Sequence, residues 1–222
     1  MAGRGGIINN KWDEVVPPED EPSPQIMRLN AGLKWEQAHD PLHHDIDHKI
    51  CGVGPGMSFA NTVLAKDPSI GVIGLVPCAV GGTTLDEWSR GRKLYNDTIE
   101  RTKAALKDGG APRALLWFQG ESDTSNLENA KSYNTHFEQF IAHVRCDLQL
   151  PTLPVVQVIV ASGDGPFVKE VRESQMAVKL PELKKVDAWG VSLLADNVHL
   201  TVDSAIKVGH MMADAYLQFP SQ

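Results

Sequence analysis

The stretch that decides the fold is residues 70–84, which read IGVIGLVPCAVGGTT. An apolar run rich in Ile and Val ends in the glycine pair Gly81-Gly82. This pattern is typical of a buried parallel strand that turns sharply at its carboxyl end. Comparable apolar runs, each bounded by turn residues, occur at residues 113–118, 155–160 and 186–193. We interpret these runs as strands of one parallel sheet.

Amphipathic stretches alternate with these runs and predict helices. They lie at about residues 56–66, 94–106, 132–148, 167–180 and 202–219, and a short candidate strand precedes them at residues 26–29. Strand and helix in alternation predict an α/β fold, a three-layer α/β/α sandwich with a mostly parallel, doubly wound, flavodoxin-like sheet. A length of 222 residues predicts a single domain over residues 1–222.

Composition narrows the function classes. The formal net charge is -7 and no run of Lys or Arg occurs, which argues against nucleic acid or an anionic membrane as the partner. No apolar stretch approaches a membrane span, and the first residues do not resemble a signal peptide. Cys51, Cys78 and Cys146 form no metal or redox spacing, so we expect reduced thiols and, by default, a cytoplasmic protein.

Asp196 and His199 are the candidate acid and base of a serine-hydrolase triad. In such a triad the carboxylate holds the imidazole in one tautomer, so that the other ring nitrogen accepts the serine proton. The same Asp-x-x-His spacing occurs twice earlier, but only this pair follows an apolar run and precedes a helix. The alternative is a loop pair that caps the last helix, although Thr201 is the more natural cap.

Two further polar features lie at predicted carboxyl ends of strands, where sites of α/β proteins collect. The amides of Gly81 or Gly82 are candidate donors to an oxyanion, and so is the side-chain amide of Gln119. Glu121 is a candidate support for the site, and Trp88 is a candidate substrate contact. The alternatives are a plain strand-to-helix turn, a structural loop network and a core tryptophan.

The run of histidines and aspartates at residues 43–48 has the ligand types that zinc prefers. It lies in a proline-flanked loop without a second cluster of similar character. We therefore predict no metal site and no cofactor.

Together these segments resemble the SGNH hydrolases, most closely the plant carbohydrate esterases with a sialate O-acetylesterase-like domain. The resemblance rests on residues 1–6, 52–57, 76–83, 117–123 and 196–200. It implies a metal-free serine esterase that removes acetyl or similar acyl groups from carbohydrates. By position, Asp196 would orient His199, His199 would serve as general base and then acid, and Gly81 or Gly82 with Gln119 would form the oxyanion hole.

The chain departs from this family at its start. The family's nucleophile lies in a Gly-Gln-Ser-Asn segment directly ahead of the MAGRG run that begins here at Met1. We therefore expect the catalytic serine upstream of Met1 and the first strand of the sheet to be missing. Two alternatives stay open. Ser122 follows a strand and would be the nucleophile, although Glu121 and Asp123 flank it, or the chain is a noncatalytic remnant that binds a glycan or a partner protein.

Overall fold

The computed structural model describes residues 1–107 and 109–220. Contacts divide the chain into two compact units, each of which is described by itself. The first unit comprises Met1–Gly81 and Val191–Gln218, and the second comprises Gly82–Gly190 and the residues from Phe219 onward. A single domain over residues 1–222 stays a prediction.

The described residues form short strands and five α-helices, together with four single turns of 3₁₀-helix. The strands are β1 (Ile7–Ile8), β2 (Lys11–Trp12), β3 (Ile26–Leu29), β4 (Trp35–Gln37), β5 (Ile73–Leu75), β6 (Leu115–Phe118), β7 (Val155–Ile159) and β8 (Leu183–Asp187). The helices are α1 (Pro55–Lys66), α2 (Lys93–Ala105), α3 (Leu127–Leu148), α4 (Val168–Ala177) and α5 (Val202–Tyr216).

In the first unit β3 is the central strand. It pairs in parallel with β5 and antiparallel with β4, while β1 and β2 form a separate antiparallel ribbon. Helix α1 begins at Pro55, which suits the first turn because its missing N–H needs no partner there. Helix α5 packs closely on α1, since a Cβ on Gly209 would lie 2.2 Å from the Ser58 hydroxyl oxygen.

In the second unit β6, β7 and β8 form a parallel sheet with β7 in the middle. All five residues of β7 are buried, as expected of a strand covered on both faces. Trp117 of β6 packs on α3 with its ring centroid 4.7 Å from that of Phe140. The α/β class predicted from the sequence is confirmed, because parallel strands alternate with helices along the chain.

One predicted strand is wrong. The apolar run at residues 186–193 contains only the end of β8, and Leu193 forms a single bridge with Leu200. Gly190 adopts a φ of 82°, which interrupts the extended backbone. The true strand carries two lysines and pairs only with β7 among the described strands, which is typical of an edge. Because β8 carries polar residues, the pattern of apolar runs did not predict this strand.

No helix among the described residues combines the length and the apolar character that a membrane span requires. All three cysteines fall within the described ranges, and none of them forms a disulfide there.

Asp20 and Asp40 form a buried pair of carboxyl groups in the first unit. Their exposed fractions are 0% and 3%, and none of their four carboxyl oxygens accepts a standard hydrogen bond from the described residues. The Ser58 hydroxyl lies near Asp20 without reaching that geometry. Burial raises the pKa of both groups, and the charge of Asp20 raises that of Asp40 further. We therefore assign a proton to Asp40 at neutral pH.

This proton makes stability depend on pH. An aspartate with a pKa of 3.8 releases its proton on unfolding, whereas folded Asp40 retains it, so stability falls as pH rises above about 4, by at most about 1.4 kcal/mol per unit. Asp40→Asn keeps the shape without the titrating proton. We expect this variant to unfold at a higher temperature than wild type at pH 8, with the difference shrinking toward pH 4, measured by circular dichroism.

The control is Asp97→Asn, the same change at an exposed aspartate of α2 that pairs with Lys93. It should not raise the melting temperature at pH 8. An Asp40→Asn protein that is less stable than wild type at pH 8 contradicts the assigned proton.

Candidate active site

A closed turn over residues 193–200 brings Asp196 and His199 together. The Leu194 amide donates to the His199 carbonyl at 2.7 Å, and the Asn197 amide donates to the Leu194 carbonyl at 2.9 Å. Asn197 has a φ of 58°, a left-handed conformation that asparagine tolerates better than most residues. The turn thus sets the backbone of the pair before any side-chain contact is considered.

The two side chains form a hydrogen-bonded dyad. His199 Nδ1 lies 2.6 Å from Asp196 Oδ2, and Asp196 Oδ1 accepts the amides of Val198 at 2.9 Å and His199 at 3.0 Å. Because Nδ1 faces a carboxylate, it is the nitrogen that carries the proton, and Nε2 has its lone pair available. Nothing in the described chain hydrogen-bonds to Nε2, and the two side chains are 45% and 47% exposed.

The carboxylate is held in its ionised form. Burial alone would raise the pKa of Asp196, but the hydrogen bonds from the His199 ring and from the amides of His199 and Val198 lower it below its ordinary value of 3.8. Asp196 therefore remains negative at neutral and mildly acidic pH. A negative group at this position stabilises a positive charge on the imidazole.

The alternative role of Asp196 as a helix cap is wrong. Thr201 precedes α5 in an extended conformation, and its hydroxyl oxygen accepts the Ser204 amide at 3.3 Å. Since Thr201 fills the cap position, both Asp196 oxygens are engaged within the dyad turn instead.

A carboxylate that is buried in the first unit positions Gly81 of the glycine turn. Asp47, whose side chain is fully buried, accepts Arg4 Nη2 at 2.6 Å and the Gly81 amide at 3.1 Å. Burial would raise the pKa of Asp47, but these contacts lower it. A Cβ on Gly81 would lie 2.3 Å from Arg4 Nη2, so a larger residue there would displace the guanidinium from its place beside Asp47. The engaged Gly81 amide favours Gly82, with a φ of 76°, as oxyanion donor, and that role stays a prediction.

In the second unit Gln119 is the centre of a hydrogen-bond network. Its Nε2 donates to the Thr83 carbonyl at 2.8 Å and to Asp123 at 2.6 Å, and its Oε1 accepts the Tyr133 hydroxyl at 3.0 Å. Asp123 also accepts the Leu85 amide, and burial raises its pKa. Both Nε2 hydrogens are used, so a direct bond to an oxyanion requires one of them to be released. The oxyanion role of Gln119 stays a prediction.

The structure corrects the expectation for Trp88. Only 4% of this residue is exposed, its Nε1 donates to the Thr83 hydroxyl at 3.1 Å, and its ring meets Trp117 edge to face. The ring is part of the core of the second unit and presents no free face to a substrate.

Glu121 lies at the start of a 3₁₀ turn, and its carbonyl accepts the Thr124 hydroxyl at 2.6 Å and the Asp164 amide at 3.0 Å. Through these bonds the Glu121 backbone stabilises the loop. Ser122 donates to Asp164 at 2.8 Å and contacts no imidazole in the described chain. The base that a nucleophilic serine needs is therefore not beside Ser122.

Two aspartates of the run at residues 43–48 form ion pairs with arginines. The fully buried Arg28 donates to Asp45, and also to Glu36, at 2.8 Å each. Arg4 forms the ion pair with Asp47. Among residues 1–107 and 109–220, no group of three or more His, Cys, Asp or Glu side chains is arranged to hold a metal ion.

Sequence reasoning missed one exposed aromatic residue. Trp189 follows β8 and is 64% exposed, with Arg172 over one face of its ring at 4.6 Å. The strand was predicted at residues 186–193, which includes Trp189, whereas Trp189 lies two residues after the true end of β8.

Comparison with known proteins identifies the family. The sequence model of the family described as "Carbohydrate esterase, sialic acid-specific acetylesterase" matches residues 1–218. The chain belongs to this family of carbohydrate esterases. An Arabidopsis thaliana protein named "probable carbohydrate esterase" is 48% identical over an alignment of 225 residues that covers 98% of this chain and 86% of that protein. Its X-ray structure has a TM-score of 0.95 and covers 98% of this chain and 93% of that one.

Two bacterial proteins are less similar to this chain. An Escherichia coli K12 protein named "probable 9-O-acetyl-N-acetylneuraminic acid deacetylase" is 28% identical over an alignment of 131 residues that covers 50% of this chain and 40% of that protein. The structure of a carbohydrate acetylesterase from Xanthomonas citri has a TM-score of 0.58 at 18% identity, covering 86% of this chain and 47% of that one. The latter likeness shows a shared α/β fold.

The buried ion pair of Arg4 and Asp47 predicts a large mutational effect. Arg4→Ala leaves a fully buried carboxylate without its cation, so we expect the free energy of unfolding to fall by about 3 kcal/mol, measured by urea denaturation. Lys93→Ala, which breaks an exposed pair on α2, is the control and should cost at most about 0.5 kcal/mol. Equal costs for the two variants would show that Arg4 is not a structural partner of Asp47.

Proposed function

We propose that this protein is a serine esterase that hydrolyses acyl esters of carbohydrates by a Ser-His-Asp mechanism. The observation that carries the proposal is the dyad, in which Asp196 holds Nδ1 of His199 and leaves Nε2 unengaged. Family membership supports an ester hydrolase with an acylated carbohydrate as substrate. The acetyl group is the acyl group that the family description and the relatives' names share.

In the proposed first half-reaction, a serine hydroxyl attacks the acyl carbonyl carbon while its proton passes to His199 Nε2. The carbonyl oxygen becomes negative, and the Gly82 amide and Gln119 are the proposed donors that stabilise it. The bond between the acyl carbon and the sugar oxygen then breaks, and Nε2 returns the proton to that oxygen. The free sugar leaves, and the acyl group remains on the serine.

In the second half-reaction water replaces the sugar. His199 takes a proton from the water as it attacks the acyl-serine, and the carboxylic acid and the serine hydroxyl are regenerated. In both halves a positive imidazole forms next to the Asp196 carboxylate, which stabilises it and keeps Nε2 directed away from the carboxylate. Asp196 contributes through orientation and charge rather than by accepting the proton.

We infer that the nucleophile is a serine in a segment of the Gly-Gln-Ser-Asn type that the resemblance implies, a segment that the given sequence does not contain. The described residues support this inference, because no serine hydroxyl among them is hydrogen-bonded to the His199 ring. A fluorophosphonate probe tests it on the chain as given and on a form extended by that segment ahead of Met1. We expect labelling of the extended form alone, at the new serine. Labelling of the given chain at Ser122 would overturn this assignment.

A second candidate function is binding without turnover. Among the described residues no serine is hydrogen-bonded to His199, which favours this second candidate for the chain as given. A dyad that has no serine beside it cannot form an acyl-enzyme. Absence of labelling in the extended form, combined with retained sugar binding, would favour this candidate over the esterase.

The dyad predicts a steep loss of activity in the extended form. In the extended form, His199→Ala should abolish hydrolysis of p-nitrophenyl acetate by the added serine. Among the described residues, His199 has the imidazole that is bonded to Asp196, and no other imidazole takes its place. Asp196→Asn should reduce the rate by up to about 10⁴-fold, since an amide favours the wrong imidazole tautomer.

His136→Ala, at an exposed histidine of α3, and Asp97→Asn are the matched controls and should retain full activity. Circular dichroism of each variant checks that the fold is intact. Near-normal hydrolysis by His199→Ala would remove this residue from the mechanism.

A further inference from the structure

The largest exposed apolar side chain of the second unit is Trp189. Tryptophan is usually well buried, because its ring removes a large apolar area from water. Here the ring is 64% exposed, although its backbone is fixed by a hydrogen bond of 2.9 Å from its amide to Asp187. The backbone of Trp189 is ordered although its indole ring is exposed. This combination indicates that the ring is presented to solvent and is not merely excluded from the core.

One face of the ring is held by a fixed cation. The Arg172 guanidinium carbon lies 4.6 Å from the ring centroid, within the range of a cation–π contact. Arg172 itself donates to Asp187 Oδ2 at 3.0 Å and to the Val160 carbonyl at 2.5 Å, and its Nη1 forms an ion pair with Asp187 Oδ1 at 3.0 Å. Because the guanidinium is fixed on three sides, it limits the ring to one orientation and leaves the opposite face for a ligand.

The ring lies at the functional edge of its sheet. Asp187 ends β8, and Val160 follows the end of β7, so both belong to the carboxyl edge of the parallel strands, where ligands of α/β proteins bind. Gly190 comes next, and a Cβ at that position would meet nothing within 4 Å. The space beside the ring is therefore open.

The charges beside the ring select among sugars. Burial would raise the pKa of Asp187, but the hydrogen bonds from Arg172 and from the Trp189 amide lower it, so this half-exposed group is an anion. Its Oδ2 accepts a single bond within the described chain and retains a lone pair for a hydroxyl. The Arg172 guanidinium is already paired. An apolar face beside an anion matches the C–H face and hydroxyl edge of a neutral sugar and disfavours a carboxylated one.

We propose that Trp189 is a binding subsite for a neutral pyranose unit of the glycan, with Asp187 as acceptor for its hydroxyl groups. The assignment of a glycan rests on the proposed function, whereas the position and charge of the subsite do not. In the sequence Trp189 precedes Asp196 by seven positions. Carbohydrates with a carboxylate, such as sialic acids, are expected to bind poorly at this subsite.

The test is a titration of isotope-labelled protein followed by NMR. The chain contains five tryptophans, so five indole N–H signals are expected, and Trp189→Phe identifies one of them by its loss. Xylotriose should shift the Trp189 signal, and N-acetylneuraminic acid at the same concentration should not. Trp189→Ala should weaken xylotriose binding by at least about tenfold. Val72→Ala, at a comparably exposed apolar residue of the first unit, should leave binding unchanged.

Three results would overturn the subsite. They are an unmoved Trp189 signal with xylotriose, cellotriose and chitotriose at about 20 mM each, an equal shift with N-acetylneuraminic acid, and unchanged affinity in Trp189→Ala. The titration needs no nucleophile. Failure of fluorophosphonate labelling in the extended form with an intact sugar response therefore refutes the esterase, while labelling of that form without a sugar response refutes the subsite.

Discussion

The chemistry proposed for this protein depends on the Asp196 carboxylate, on which three donors converge. Two of the donors are amides of the turn itself, and the third is the His199 ring. The amides hold the carboxylate ionised and fixed, so that the imidazole has one favoured tautomer and one free nitrogen. A turn of eight residues, closed by its own backbone bonds, is thus sufficient to form this hydrogen-bonded pair without a contact from a distant element.

Elsewhere the protein stabilises buried carboxyl groups in three physically different ways. Asp47 has a guanidinium partner and remains charged in the interior of the first unit. The pair Asp20 and Asp40 forms no ion pair with a Lys or Arg among the described residues, and a proton on Asp40 takes the place of a cation. In the second unit Asp123 accepts the Leu85 amide and Gln119. The available partner decides the charge state: a cation keeps the carboxylate ionised, whereas without one the desolvation cost favours the proton.

Sequence reasoning worked where a single physical requirement controls a segment. Strand β7 is apolar because it is covered on both faces, and the amphipathic period of the helices predicted them. It failed for β8, whose edge position permits lysines, and consequently for Trp189 just beyond it. The two tryptophans show the limit clearly: Trp88 is buried and Trp189 exposed, and residue type alone does not distinguish them.

The sequence by itself determined the α/β class, the esterase family and the pairing of Asp196 with His199, because these depend on local periodicity, on ordered motifs and on a spacing within one turn. Only the tertiary structure decided that the Gly81 amide is bonded to Asp47, that both hydrogens of the Gln119 amide are engaged, and that the face of Trp189 is free. Each of these depends on partners distant in the chain. Burial and hydrogen-bond partnership are properties of the packed molecule, so no reading of neighbouring residues determines them.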